Sequence, residues 1–98
     1  MIVELSFEAA QGLEGICEYI ARDNPRRALS LIEELRSKCL ELAATPEAFP
    51  LAPRYERFGV RRRIHGNYLI FYRADSDKVV VLHILHGAMD YDAILFSE

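Results

Sequence analysis

The fold of this chain is decided by residues 59–86, which read GVRRRIHGNYLIFYRADSDKVVVLHILH. Three runs rich in β-branched, aromatic and other apolar residues, at 59–65, 68–73 and 79–86, alternate here with two short turn sequences. The turns are Gly66-Asn67 and Asp75-Ser76-Asp77. Because turns this short join neighbouring antiparallel strands, we predict a three-stranded antiparallel sheet in this half of the chain.

Upstream of the sheet, the sequence predicts two amphipathic helices. Apolar residues recur every three or four positions from residue 9 to 21, and again from 28 to 43. Ser6 and Asn24 precede the two helices, and each side chain can accept a hydrogen bond from an amide of the first turn. Pro25 fits the first position of the second helix, and Pro46 ends it. The turn between the helices is so short that they should form an antiparallel hairpin.

A strand at residues 2–5 completes the predicted order β-α-α-β-β-β. This is an α+β fold in which an antiparallel sheet packs against one N-terminal helical hairpin. Asp90 can cap a final short helix after the last strand. With 98 residues, no internal repeat and no linker, the chain is expected to form a single domain over residues 1–98.

The composition excludes several classes of protein. A chain that is 51% hydrophobic and 28% charged is neither disordered nor of low complexity. No apolar run approaches the about 20 residues that cross a bilayer, and the N-terminus has no basic leader, so we expect a cytoplasmic protein without a membrane partner. Cys17 and Cys39 lie on the apolar stripes of the two helices, and we interpret them as small core residues.

Both faces of the predicted sheet are apolar. Regular alternation along the last strand puts Val79, Val81, His83 and Leu85 on one face, and Val80, Leu82, Ile84 and His86 on the other. One helical hairpin covers only one face of a sheet. The other face must be covered by the proline-rich connector at residues 46–53, by the C-terminal tail or by a second polypeptide. We expect a partner chain to cover it.

The charge is concentrated in one stretch. The net charge is -3, yet residues 54–63 contain five arginines and one glutamate. A domain that binds nucleic acid by itself is usually basic throughout, so we expect no direct, stable binding of nucleic acid. An arginine patch on an acidic body suits a specific protein partner or one phosphate-rich contact, and a solvated strand face is an equal alternative.

The histidines do not form a metal-binding pattern. His83 and His86 should point to opposite faces of one strand, so no metal or other cofactor is expected. We expect His83 in the core with one nitrogen hydrogen-bonded, and an accessible His86 that could act as a general base or as a hydrogen-bonding residue. A metal-free ribonuclease remains an alternative, and its available residues would be Arg61, Arg62, Arg63, Arg73, His86 and Tyr91.

Several segments together resemble the ParE branch of the RelE/ParE superfamily of toxins. They are YIARDNP at 19–25, CLELA at 39–43, GVRR at 59–62, GNYLIFYR at 66–73 and VVVLHILHGAMD at 79–90. These segments span nearly the whole chain, and their order agrees with the β-α-α-β-β-β prediction. The resemblance implies the toxin of a bacterial type II toxin–antitoxin module, of the kind that stabilises plasmids.

Within the superfamily, the resemblance favours one activity over another. Toxins of the ParE branch stall DNA gyrase with its DNA cleaved, whereas RelE-like enzymes cut mRNA on the ribosome. RelE-like enzymes carry arginines where this chain has Leu69 and Met89, and a late catalytic aromatic residue or histidine near Leu95. We therefore expect a non-enzymatic gyrase inhibitor without catalytic residues. The alternatives are a RelE-like ribonuclease and an inactive, toxin-like binding module.

The resemblance also implies two sets of contact residues. The gyrase-facing set consists of Arg61, Arg62, Arg63, His86, Asp90 and Tyr91. A ParD-like antitoxin should form a hetero-oligomer with the toxin by covering the helical hairpin and the open sheet face. Its predicted contacts are Leu13, Ile20, Leu69, Phe71, Leu82 and Ile84.

Overall fold

The computed structural model describes residues 1–87 as a helical hairpin layered on a four-stranded sheet. The elements in chain order are β1 (Ile2–Leu5), α1 (Phe7–Ala21), α2 (Pro25–Glu41), β2 (Val60–His65), β3 (Tyr68–Ala74) and β4 (Lys78–His86), with one 3₁₀ turn at Glu56–Phe58 before β2. The predicted order β-α-α-β-β-β and the α+β class are confirmed. The predicted helix capped by Asp90 lies outside the described residues.

The strands lie in the order β1-β4-β3-β2. The three strands of the 59–86 stretch pair antiparallel, as their short turns predict. β1 instead pairs parallel with β4, with Val3 opposite Val79, so the sheet is mixed and not wholly antiparallel. No turn connects these two strands directly, and only a hairpin turn forces neighbouring strands to run in opposite directions.

Both predicted helix caps are present. Ser6 Oγ accepts a hydrogen bond from the Ala9 N–H at 3.0 Å, and Asn24 Oδ1 accepts one from the Arg27 N–H at 3.1 Å. Ser6 also joins α1 to the sheet, because its hydroxyl donates to the Leu82 carbonyl at 2.8 Å. The start of α1 is therefore fixed against the middle of β4.

β4 contains a β-bulge at that point. His83 lies opposite Phe71 and Val81 lies opposite Tyr72, so Leu82 has no partner on β3. An extra residue reverses the alternation of side chains beyond it. Val79, Val81 and Ile84 therefore face the helices, whereas Leu82 and Leu85 belong to the opposite face. The predicted division of β4 into two regular faces is wrong beyond Val81.

The main core lies between the helices and the sheet. Its fully buried side chains include Leu31 and Leu35 from α2 and Ile70, Tyr72 and Val81 from the sheet. Cys39 is also buried here, as predicted, and burial raises the pKa of its thiol to about 11. Cys17 is only half-buried. None of the helices within residues 1–87 is both long and apolar enough to cross a membrane.

A second core lies on the opposite face of the sheet. Val60, Leu69, Phe71 and Leu85 are all buried there, together with Ala52 of the connector and Tyr55, which follows the connector. The connector reaches this face by running along the edge of β2, where Ala52 N–H donates to the Val60 carbonyl at 2.8 Å. The expectation that a partner chain must bury this face is therefore wrong for these residues, because they are already buried within the chain.

Candidate functional site

The arginine run on β2 is divided by the alternation of the strand. Arg61 and Arg63 lie opposite Tyr72 and Ile70, which belong to the main core beneath the helices. Arg62 lies opposite Phe71, on the outer face. Since cross-strand partners share a face of a sheet, the three neighbouring arginines project to two different sides of the molecule.

Arg63 and Arg61 bind other parts of the same chain. Arg63 donates one hydrogen bond to the Lys38 carbonyl at 3.0 Å and another to Glu41 Oε1 at 2.9 Å. Its guanidinium also stacks over the Phe49 ring, 4.6 Å from the centroid. Arg61 donates to the Phe49 carbonyl at 2.8 Å. These two side chains hold the end of α2 and the connector against the sheet.

Ion pairs lie along the side of α2 that faces β2, and we call this set the α2–β2 seam. It consists of Arg63 with Glu41 and of Glu34 with Arg27 and His65. The hydrogen bond from Arg63 lowers the pKa of Glu41. Glu34 accepts hydrogen bonds from Arg27 and from His65, and these two lower its pKa in the same way. The Lys38 carbonyl lies at the negative end of the α2 dipole, which also favours a guanidinium there.

Arg62 is different from its two neighbours. Its backbone N–H donates to the Pro50 carbonyl at 3.0 Å, but within residues 1–87 its guanidinium has no hydrogen-bond or ion-pair partner. Arg73 also projects from the outer face, but its Nε forms an ion pair with Asp75 Oδ1 at 3.0 Å. Of the three arginines predicted to face a target, the structure leaves the guanidinium of Arg62 available.

The two histidines of β4 lie on opposite sides of the sheet. His86 packs edge-on against Tyr68 with ring centroids 5.4 Å apart. His83 is half-buried beside Glu8 and Tyr55, and burial lowers its pKa. No hydrogen bond to His83 is present among residues 1–87, and the bulge places its side chain opposite Phe71 on the outer face and not in the main core. The other two predicted target residues, Asp90 and Tyr91, lie outside the described part of the chain.

The predicted antitoxin contacts divide into buried and accessible residues. Leu13 and Ile84 lie in the main core, and Leu69 and Phe71 in the outer core, so the side chains of these four are buried within the chain. All four are apolar positions of a helix or strand, and the same apolar character buries them in the core. Ile20 and Leu82 are only half-buried and remain accessible.

A groove that the sequence analysis missed lies between α1 and the end of the β3–β4 pair. Its volume is about 540 Å³, and its lining includes Gly15, Ile16, Tyr19, Ile20, Tyr68 and His86. Gly15 leaves open space where a side chain would project, and the Tyr19 side chain is 69% exposed at the rim. The signal in the sequence was a pair of glycines, Gly12 and Gly15, inside a helix, where glycine is unfavourable.

The metal-binding residue types do not cluster in the part of the chain that the structure describes. Residues 1–87 contain no group of three His, Cys, Asp or Glu side chains that could hold an ion. Two accessible features of this part of the chain are the Arg62 guanidinium on β2 and the apolar groove beside α1. Both are surfaces suited to macromolecular contact.

Comparison with known families identifies the chain. Residues 3–91 match the family model described as the ParE toxin of the type II toxin–antitoxin system parDE. The chain belongs to the ParE toxin family. The resemblance to the ParE branch is thus confirmed over nearly the whole chain. The chain is a ParE-type toxin of a type II toxin–antitoxin system.

Two solved structures share the ParE-family fold of this chain. One is described as a chromosomal ParDE TA system from P. aeruginosa, with a TM-score of 0.76 and 19% identity, covering 88% of this chain and 95% of that one. The other is the toxin–antitoxin complex RelBE2 from Mycobacterium tuberculosis, with a TM-score of 0.59 and 22% identity, covering 87% and 95%. The search of curated proteins found no match.

Proposed function

We propose that this ParE-family toxin acts in the cytoplasm on DNA gyrase. It stabilises the complex in which gyrase has cleaved DNA, and so it blocks replication. The observation that carries the proposal is the family match over residues 3–91, supported by the shared fold of the P. aeruginosa ParDE structure.

The contacts of the arginines support a binding mechanism over catalysis. Metal-free cleavage of RNA needs cationic side chains that are free to contact the phosphate in the transition state. Arg61 and Arg63 are hydrogen-bonded to backbone carbonyls and Glu41, and Arg73 is bonded to Asp75. A ribonuclease site that used Arg61, Arg63 or Arg73 would have to break these contacts, so we propose that the toxin is not an enzyme.

A ParD-like antitoxin is the proposed inhibitor of the toxin. The groove beside α1 is apolar and open, and Ile20 lies in its wall. We propose that apolar side chains of the antitoxin enter this groove in a toxin–antitoxin hetero-oligomer, with a second contact at Leu82. Binding there would bury the exposed ring of Tyr19.

The activity is tested with purified toxin, gyrase, ATP and relaxed or supercoiled plasmid. We expect loss of supercoiling and, after denaturation with detergent and protease, accumulation of linear DNA. Toxin premixed with a purified ParD-like antitoxin that binds it should have no effect. Active gyrase that is not inhibited, together with cleavage of mRNA in a translating extract, would replace the proposal by the ribonuclease alternative.

A further inference from the structure

The outer edge of β2 is covered along only part of its length. The connector pairs with its first half, where Ala52 N–H donates to the Val60 carbonyl and Arg62 N–H donates to the Pro50 carbonyl. Leu51 lies opposite Arg61 in this short bridge. No such pairing continues at Ile64 within residues 1–87.

The alternation of the strand shows which backbone groups are left open. Val60 and Arg62 direct their hydrogen-bonding groups outward to the connector, so Ile64, two residues further on, does the same. The Ile64 N–H and carbonyl and the Arg62 carbonyl therefore face away from β3. The amides of Arg63 and His65 face β3 instead.

The connector leaves this edge because Arg61 holds it elsewhere. The Phe49 carbonyl accepts a hydrogen bond from the Arg61 guanidinium, and the Phe49 ring lies under Arg63 on the helix side of the sheet. Residues before Pro50 are thus drawn away from the place opposite Ile64. Among residues 1–87 the result is a short slot, without a paired strand, between Pro50 and the turn at Gly66-Asn67.

The side chains beside the slot define what fits it. The Ile64 side chain is 61% exposed, and Arg62, on the same face, has a guanidinium without a partner among residues 1–87. An edge with open backbone groups and an exposed apolar side chain is a template for an added strand. The charge at Arg62 favours a carboxylate on that strand.

We propose that an extended acidic segment of the antitoxin pairs with β2 at Arg62–Ile64, continuing the line of the connector beyond Pro50. A carboxylate of the segment binds Arg62, and an apolar side chain packs on Ile64. This inference rests on the proposed antitoxin partnership. The slot offers three backbone groups, which suits one short flexible segment. The acidic balance of the chain disfavours nucleic acid as the occupant.

The test uses the whole chain with a purified ParD-like antitoxin. Ile64→Pro removes the outward N–H but leaves the β2–β3 hydrogen bonds intact, and Ile64→Val keeps the N–H and serves as the matched control. We expect the proline variant to bind at least about tenfold more weakly than the valine variant at similar thermal stability. In the wild-type complex, amide exchange at Ile64 should slow by at least about tenfold.

Charge is tested separately with Arg62→Glu, which should weaken binding at least about tenfold, whereas Arg36→Glu on the exposed surface of α2 should not. Equal affinities of the Ile64 variants, or unchanged exchange at Ile64 in a tight complex, overturn the inference alone. Loss of gyrase inhibition in Arg62→Glu with antitoxin binding intact assigns the edge to the target and also overturns it. If the wild-type toxin forms no complex with the antitoxin, both this inference and the proposed antitoxin partnership are overturned.

Discussion

Single residues in this chain have roles that depend on which side of a strand or helix they occupy. Arg62 differs from Arg61 and Arg63 only by its place in the β2 alternation, yet among residues 1–87 its guanidinium is the one of the three without a hydrogen-bond or ion-pair partner. Gly12 and Gly15 are three residues apart on α1, and they differ in the space that a side chain would meet. A side chain at Gly12 would collide with the Ile84 carbonyl, whereas one at Gly15 would project into open space.

The two glycines give a matched pair of variants. Gly12→Ala should lower the free energy of unfolding by about 1–3 kcal/mol, because α1 must move away from β4 to make room for the methyl group. Gly15→Ala should be neutral or should stabilise by up to about 1 kcal/mol, because alanine is the better helix former. Urea denaturation of both variants measures the difference. Equal stability of the two would show that α1 does not approach β4 this closely.

At the level of elements, polar side chains join α2 to β2 where few apolar ones do. Arg63 contacts the last turns of α2 and the Phe49 ring together, and its side chain is only 13% exposed. The same guanidinium therefore holds a helix end, an edge strand and the connector. This explains how a strand with three arginines remains part of a packed sheet.

Replacement of Arg63 and replacement of Arg62 should affect the stability of the fold very differently. Arg63→Ala should lower the free energy of unfolding by about 1–3 kcal/mol, because it leaves the Lys38 carbonyl and Glu41 without their donor. Arg62→Ala should change it by no more than about 0.5 kcal/mol. Thermal and urea denaturation of the two variants provide the measurement. A stable Arg63→Ala variant would mean that the α2–β2 seam contributes little.

At the level of the whole molecule, the sheet is buried on both faces, and its open surface is at its edges. The helices cover one face, and Ala52 of the connector and the following Tyr55 belong to the core of the other. Two features that stay accessible among residues 1–87 are the groove beside α1 and the second half of the β2 edge. A partner of this chain therefore meets a groove and a strand edge, and not a flat apolar face.

The ion pairs of the α2–β2 seam make stability depend on pH. The folded chain lowers the pKa of Glu34 and Glu41 below the ordinary 4.5, so both carboxylates stabilise folding above that value. This contribution is lost as pH falls through the lowered values. His83 also reduces stability, and it does so at a higher pH than the two carboxylates. Because burial lowers its pKa, folding stability begins to fall as the pH drops below about 6.5. We expect the melting temperature to fall steadily from pH 7 to pH 3.

The variant Glu34→Gln/Glu41→Gln isolates the contribution of the carboxylates. It should be less stable than the wild type at pH 7 and should lose less stability between pH 5 and pH 3, because it has no carboxylate at these positions to protonate. The decline due to His83 should remain. Parallel melting curves for the two proteins across this range would contradict the assignment.

Local patterns in the sequence were enough for the elements and the family. The caps at Ser6 and Asn24, the turn at Gly66-Asn67 and the apolar stripes of both helices depend on residues a few positions apart, and the structure reproduces them. The ParE resemblance also rests on short segments in a given order. The groove had only the glycines of α1 as a signal, because its other wall comes from distant strands.

Tertiary structure alone decided which residues are available for contact. The bulge at Leu82, where the Ser6 hydroxyl binds the carbonyl, reverses the face of Ile84, and no pattern within β4 announces it. The partners of Arg61 and Arg63 lie 12 to 25 residues away in the chain. Alternation assigns a side chain to a side of its own strand, but the elements packed against that side determine whether it is buried, bonded or free.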